Sequence, residues 1–406
     1  MIIMKKITNI LNRLLKGIPA VKEQSRINND IEELSLPEIL PHKEICKEKK
    51  VVHFSAFNYG NAGDVILPIN VKDSIEYGLD YEYDWRSIHA HKYVDDKIVE
   101  LANSSNGIII GGGGLFLKDT NPNNNSGWQW NCSVDQLKKI NVPIALFAVG
   151  YNRFRNQADF EPVFKEHLNI LAEKSTFLGL RNYGSIEMIK NYLHPENFEK
   201  LRYQPCPTTI ISMLYPDNVN IVKRNSEEKF IALNCAFDRT QLRFGEKIGN
   251  ILTSIAKVVK VLSKDYKIKY YSHMPSDNYF IPFLDSFGIK YELMHIKTPI
   301  EIIEEYSKPS LVIGMRGHSQ MIPFGCKTPI LSIISHEKMG WFLKDINRSE
   351  WGSEVTNPDF ENDLLEKAIY LLNNKNIVIE DITNIQETFF NITMDNVSEI
   401  RKIYDL

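Results

Sequence analysis

The hydrophobic positions of this chain cluster in short runs. VVHFS (51–55), GIII (107–110), PIALFAV (143–149) and FLGLR (177–181) are each four to seven residues long. Strands buried on both faces read this way, and the mixed-polarity stretches between them suit covering helices, one of which is expected across 73–77. A polar, proline-containing span over 215–229 breaks the pattern, which then restarts. FIALNC (230–235), KIKYYS (267–272), LVIGM (311–315) and PILSII (329–334) form the second set of strands. Among them, Ile251, Leu252, Ile255, Val258, Val259 and Leu262 recur at helical spacing across 249–263. Pro299 opens a helix over 299–306, and a late helix covers 363–373. Strand–helix alternation in two blocks predicts an α/β protein of two doubly wound, Rossmann-like domains facing a cleft. The expected domains are 48–215 and 226–375, with a helix and connector over 1–47 and a helical tail over 376–406. Ligands in such sheets sit beyond the carboxyl ends of the strands.

The first segment, MIIMKKITNILNRLLKG, sets Ile3, Ile7, Ile10, Leu11 and Leu14 at helical spacing beside Lys5, Lys6, Arg13 and Lys16. It has no charge-free apolar core and no small-residue cleavage site, so it is not read as a signal peptide. Two roles stay open for residues 1–16: packing on protein, or lying on an anionic membrane surface. Residues 17–47, with Pro19, Pro37 and Pro41, read as an extended connector.

Bulk composition narrows the classes. At 406 residues the chain exceeds one ordinary core. Its 43% hydrophobic and 24% charged content is that of a globular protein. No stretch approaches the roughly 20 apolar residues of a membrane-spanning helix. A net charge of −3 provides no basic field for nucleic acid. Five cysteines without a CxxC pair argue against a disulfide framework or a zinc site and suit the reducing cytoplasm. His89 and His91 in SIHAHKY lack a carboxylate or Cys at metal spacing, and a solvated loop is expected there.

Four segments that follow predicted strands carry candidate chemistry. In FSAFNYGNAGDVIL (54–67), Asn61 and Asp64 stand at a flexible turn and helix start. The turn is either a tight βα connection capped by Asp64, or a loop whose amides and carboxylate meet a sugar or an anion. In IIIGGGGLF (108–116), Gly111 to Gly114 let a backbone approach a ligand closely, although the spacing is neither a P-loop nor GxGxxG. In LGLRNYGS (178–185), Arg181 ends an apolar strand; it snorkels at the edge or binds an anion, and a second converging cation favours the latter. GMRGHS (314–319) supplies that cation in Arg316, followed by His318 and Ser319 at the start of a helix. Arg grips carboxylates and phosphates through paired hydrogen bonds, and His moves protons near neutral pH. Lys338, in the loop after the next strand, is a further anion contact, with His336 as its neighbour. Trp128 and Trp130, beyond the Asn-rich loop NPNNNSG, either pack that loop or form a sugar-stacking platform; the preceding glycines place them over the cleft and favour the sugar.

NYGNAGD, IIIGGGGLF, GLRNYGS, GMRGHS and HEKMGW occur in the order they take in the polysaccharide pyruvyl transferase family, which the chain resembles over residues 50–345. The resemblance implies a glycosyltransferase B type of fold, phosphoenolpyruvate as donor and co-substrate with no other cofactor and no metal, and a pyruvate ketal on a sugar as product. Carried over by position, His318 is the general acid and Arg316 its catalytic partner. Arg181, Arg316, His318, Ser319 and Lys338 hold the donor on the second-domain side. Asn61, Asp64, Gly113, Gly114, Trp128 and Trp130 line the acceptor side. The chain departs from the family at Val65, where GDE is usual, at Gly317, where a bulky apolar residue is usual, and at Asn182, where Asp is usual. The expected acceptor is a glycan or its lipid-linked precursor, met at the cytoplasmic membrane face through residues 1–16; self-association is a further option. A glycosyltransferase of the same fold using a nucleotide sugar is the alternative enzyme; it calls for acidic ribose and base contacts in the second domain, for which Glu301 and Glu337 are candidates without a convincing set. A non-catalytic anion- or glycan-binding protein ranks behind it, because Arg316 and His318 are both kept.

Overall fold

The computed structural model describes residues 33–34, 37–57, 61–225, 228–295 and 298–406. Residues 1–16, and the membrane contact expected of them, lie outside the described residues. Twelve strands form two six-stranded, all-parallel sheets with helices interleaved. The first holds β1 (Glu44–Ser55), β2 (Tyr81–His89), β3 (Gly107–Phe116), β4 (Ile144–Tyr151), β5 (Ser175–Leu180) and β6 (Leu201–Tyr203), in the order β2-β1-β3-β4-β5-β6. The second holds β7 (Phe230–Asn234), β8 (Lys267–Tyr271), β9 (Tyr291–Met294), β10 (Leu311–Gly314), β11 (Ile330–Ile334) and β12 (Gly352–Glu354), in the order β12-β11-β10-β7-β8-β9. The chain is a two-domain, Rossmann-like α/β protein.

Burial explains which strands the hydrophobic runs reveal. β4, β7, β10 and β11 are buried at every position, as central parallel strands covered on both faces must be. Edge strands β6 and β9 have no fully buried position, and LRY and YELM carry no continuous apolar run. The helix Ile248–Leu262 buries Ile251, Leu252, Ile255, Val258, Val259 and Leu262, the face its spacing predicts. The span expected to be a polar linker contains the helix Pro216–Asn225.

The strand order reverses between β1 and β3 in the first sheet and between β7 and β10 in the second. Crevices at such reversals, at the carboxyl ends, are where open sheets bind ligands. Contacts across the domains pair those ends. Arg155, after β4, donates to Glu337 after β11 (2.7 Å). Arg239, after β7, donates to Asp119 after β3 (2.9 Å). Lys338 donates to Asn152 just beyond β4 (2.7 Å).

The expected tail is the helix Lys375–Tyr404, which clasps both domains. Gln386 donates to Phe324 O (2.7 Å) and Gly325 O (2.9 Å) of the second domain. Farther along, Asn396 donates to Tyr203 O (3.0 Å), and Arg401 donates to Ile75 O (2.7 Å), both of the first. No helix among the described residues is long and apolar enough to cross a membrane.

The glycine run differs from expectation. Gly111 to Gly114 lie inside β3, not in a loop beyond it. Packing explains each one. A Cβ on Gly111 would stand 2.0 Å from Phe147 O, and one on Gly112 would stand 3.1 Å from the Leu67 side chain. Gly113 has φ +118, and a Cβ on Gly114 would stand 2.9 Å from Asn152 Nδ2. Gly113 is buried, so it meets no acceptor here; Gly114 is half-buried and borders Asn152.

Candidate active site between the sheets

Arg181 follows the last residue of β5 and is drawn inward by β4. Its guanidinium lies across Gly150, where a Cβ would stand 2.4 Å from Nη2. The residue is 6% exposed, and its Nε has no hydrogen-bond partner among the described residues. Burial pulls its pKa down, and only Cys206 and Asp64 oppose that. A buried guanidinium with an unspent donor is costly unless something anionic meets it.

Arg316, beyond β10, is the opposite case. Its Nε and Nη2 grip Asp277, the former at 3.0 Å, and Nη1 lies 2.9 Å from Asp238 Oδ1. Asp277 is fully buried and also accepts from Asn234 Nδ2 (3.1 Å) and His273 N (3.1 Å). The paired hydrogen bonds expected for a ligand are therefore made to a carboxylate of the protein. Burial lowers the Arg316 pKa, but Asp277 and Asp238 outweigh it and raise it overall. Of five guanidinium donors, three are committed and two remain. Burial alone raises the Asp238 carboxyl, yet Arg243, Arg316 and Arg239 together hold it well below the usual range. Arg243 is fixed in turn by Asp238 O (2.8 Å) and Ser335 Oγ (2.9 Å).

His318 starts the helix His318–Gly325 and leans over the first domain. A Cβ on Gly63 would lie 1.9 Å from its Nδ1, so glycine is what admits the ring. Its Nε2 faces Cys206 Sγ at 3.9 Å. Burial, then Arg181, His273 and Lys338, push its pKa well below the ordinary value. Cations surround the imidazole, so the negative charges expected to raise its pKa must come from a ligand.

Lys338 reaches the same place from the helix Glu337–Asp345. Burial and then Arg243 and Arg181 push its pKa well down. Asp64 completes the group from the start of the helix Ala62–Ile75. Burial raises its carboxyl to about 6, against the pull of Asn61, Arg316, Lys338 and Arg181. Asn61 caps this helix through Gly63 N (3.2 Å) and donates to Asp64 Oδ2 (3.0 Å). Two guanidinium groups, one lysine, one imidazole and one carboxyl group from both domains thus meet at the carboxyl ends of the two sheets. Around a small polyanion, such a set neutralises charge, orients it, and offers a proton.

Other expected site residues do different work. Ser319 is fully buried, and its hydroxyl accepts from Arg316 N (2.9 Å) and donates to Arg316 O (2.8 Å), leaving little for a donor substrate. Trp128 and Trp130 are 0% exposed. Trp128 packs on Phe116 and donates to His167 Nδ1 (3.2 Å), and Trp130 packs on Phe54. They are core residues, not a sugar platform, because the loop folds inward on its own domain. His336 is buried, caps the helix Glu337–Asp345 and meets the Phe154 ring at a tilt, centroids 3.9 Å apart. Glu301 closes a capping box with Thr298, and Glu337 pairs with Arg155. His89 ends β2 half-buried, 4.5 Å from the His91 ring, not in a solvated loop.

Asp238, Asp277, Asn152 and Arg243 did not emerge from the sequence as site residues. Asp238 stands four residues beyond β7, in AFDR, and Asp277 six beyond β8, in HMPSD. The rule that flagged the other loops, charge just past a buried strand, applies to both.

The fold is similar to that of MnaA of S. aureus in complex with UDP, at 11% identity and TM-score 0.54, covering 88% of this chain and 97% of that one. It is similar also to UDP-GlcNAc 2-epimerase from Neisseria meningitidis bound to UDP-GlcNAc, at 11% identity and TM-score 0.53, covering 87% of this chain and 100% of that one. At such identity the likeness is one of fold. No curated protein sequence matches the chain. The family model described as polysaccharide pyruvyl transferase matches residues 61–337, more than half of the chain, a span that holds Asn61, Asp64, Arg181, Arg316 and His318 and ends one residue before Lys338. By that match the chain belongs to the polysaccharide pyruvyl transferase family.

Proposed function

We propose that this protein transfers the enolpyruvyl unit of phosphoenolpyruvate to a sugar of a glycan or lipid-linked precursor, closing a cyclic pyruvate ketal and releasing phosphate. The observation that carries the reading is the meeting of Arg181, Arg316, Lys338 and His318 around one interdomain point. Phosphoenolpyruvate is small and bears a carboxylate and a phosphate, which suits cations from two sides. Arg181, with its free Nε, and Lys338 take its anionic groups. Arg316, clamped by Asp277 and Asp238, offers its two remaining donors from a fixed position.

Binding of the anion raises the His318 pKa, so the complex takes up a proton onto the imidazole. His318 gives that proton to the methylene carbon, leaving a cationic centre at the neighbouring carbon. A sugar hydroxyl adds there and loses its proton to Asp64, whose carboxyl at about 6 can both accept and release one near neutral pH. A second hydroxyl of the same sugar then replaces phosphate, and its proton leaves with the phosphate. The net change is two C–O bonds and one C–H bond formed, one C–O bond to phosphate broken, and the alkene consumed.

The test is phosphate release from phosphoenolpyruvate in the presence of methyl glycosides. His318→Ala abolishes release while phosphoenolpyruvate still raises the Tm. A fully active variant removes His318 as the acid. Stabilisation by UDP-sugars and none by phosphoenolpyruvate would move the protein to the nucleotide-sugar class.

A further inference from the structure

With Trp128 and Trp130 in the core, the acceptor side needs another aromatic face. Tyr183 stands two residues after Arg181, opens the helix Tyr183–Lys190, and is 56% exposed. Its ring is not loose. It stacks on Tyr203 at 4.5 Å and 16° from parallel, and Tyr203 meets Phe389 edge-on at 6.0 Å. Asn182 caps the helix by accepting from Ser185 N (2.7 Å). Asp345, from the second domain, lies beside the Tyr183 backbone and the Tyr203 hydroxyl. One face of the Tyr183 ring is therefore clamped and the other is bare.

A second aromatic adjoins it. Trp341, one helical turn beyond Lys338, crosses between the domains and lies flat on Gly184, where a Cβ would stand 2.2 Å from Cδ2. Tyr183 and Trp341 are thus tied by short backbone links to Arg181 and Lys338, the two cations assigned above to the donor. A rigid ring with an open face is suited to the apolar C–H face of a pyranose.

We propose that Tyr183, flanked by Trp341, is the stacking platform for the pyranose that receives the pyruvyl group. The assignment to the acceptor rests on the pyruvyl-transfer reading; the saccharide-binding face itself does not. Two measurements keep them apart. In the first, phosphate release is followed against methyl galactoside and methyl N-acetylmannosaminide. Tyr183→Ala raises the acceptor KM about threefold to tenfold, leaves the phosphoenolpyruvate KM unchanged, and Tyr183→Phe restores wild-type values. In the second, saturation-transfer NMR with the same glycosides, without phosphoenolpyruvate, shows contact that Tyr183→Ala loses and Tyr183→Phe keeps. That second result holds even for a protein that transfers no pyruvate. An acceptor KM unchanged in Tyr183→Ala, a phosphoenolpyruvate KM that moves in step with it, or saturation transfer indifferent to the substitution would overturn the platform.

Discussion

The two walls of the cleft solve the problem of a buried charge in opposite ways. On the second domain, Arg316, Arg243 and Arg239 are interlocked with Asp277 and Asp238, so each cation has a partner before any ligand arrives. On the first domain, Arg181 is equally buried and, among the described residues, has no ion-pair partner within hydrogen-bonding reach, only a glycine floor. The first wall must obtain its counter-charge from outside. The second is set in place at folding and contributes position more than free binding capacity. That difference assigns stability to one wall and ligand affinity to the other, and substitutions can separate them.

The largest effect is expected at Asp277. Asp277→Ala leaves the buried Arg316 with Asp238 as its one remaining described carboxylate partner, and chemical denaturation should show a loss of about 3–5 kcal/mol along with activity. Retention of full stability would mean that Arg316 is not held as described. Next comes Gly63→Ala, whose methyl would occupy the place of the His318 ring. A displacement of that size should cut kcat about a hundredfold with little change in melting temperature. Arg181 should behave in the reverse way to Asp277. Arg181→Met breaks no ion pair, so Tm should hold or rise, while affinity for phosphoenolpyruvate measured by calorimetry falls roughly tenfold to a hundredfold. A loss of stability there would erase the contrast between the walls.

The smallest effect concerns Asp64. Its carboxyl titrates at about 6 in the folded chain, above its ordinary value of 3.8. The native state therefore holds the proton more tightly than the unfolded one. The stability this contributes is fully present below pH 3.8 and is lost as pH rises through 6. Asp64→Asn, which cannot ionise, should show a Tm advantage that grows between pH 4 and 7; a difference independent of pH would contradict the assigned shift.

Much of this was legible in the sequence, for physical reasons. Central parallel strands are apolar on both faces, so β4, β7, β10 and β11 stand out as runs, whereas β2, β6, β9 and β12 are edge or near-edge strands that do not. Arg181, Arg316, His318 and Lys338 were found because charge just past a buried strand is improbable without a use. What the sequence could not show was direction. Nothing in WQW tells whether an indole turns toward the cleft or the core, and the core won because Phe54, Phe116 and His167 were there to receive it. Four glycines in a row suggested a ligand, yet Phe147, Leu67 and Asn152 account for three of them by contact and φ for the fourth.

The central claim is that both walls close on one small polyanion with His318 at its methylene carbon. A crystal structure of the protein with phosphoenolpyruvate and a methyl glycoside lacking one reacting hydroxyl tests it most directly. The account predicts the carboxylate and phosphate shared between Arg181, Lys338 and Arg316, with the methylene carbon about 3–3.5 Å from a His318 ring nitrogen. Phosphoenolpyruvate bound away from Arg181, or lying with its methylene carbon turned from His318, would contradict it.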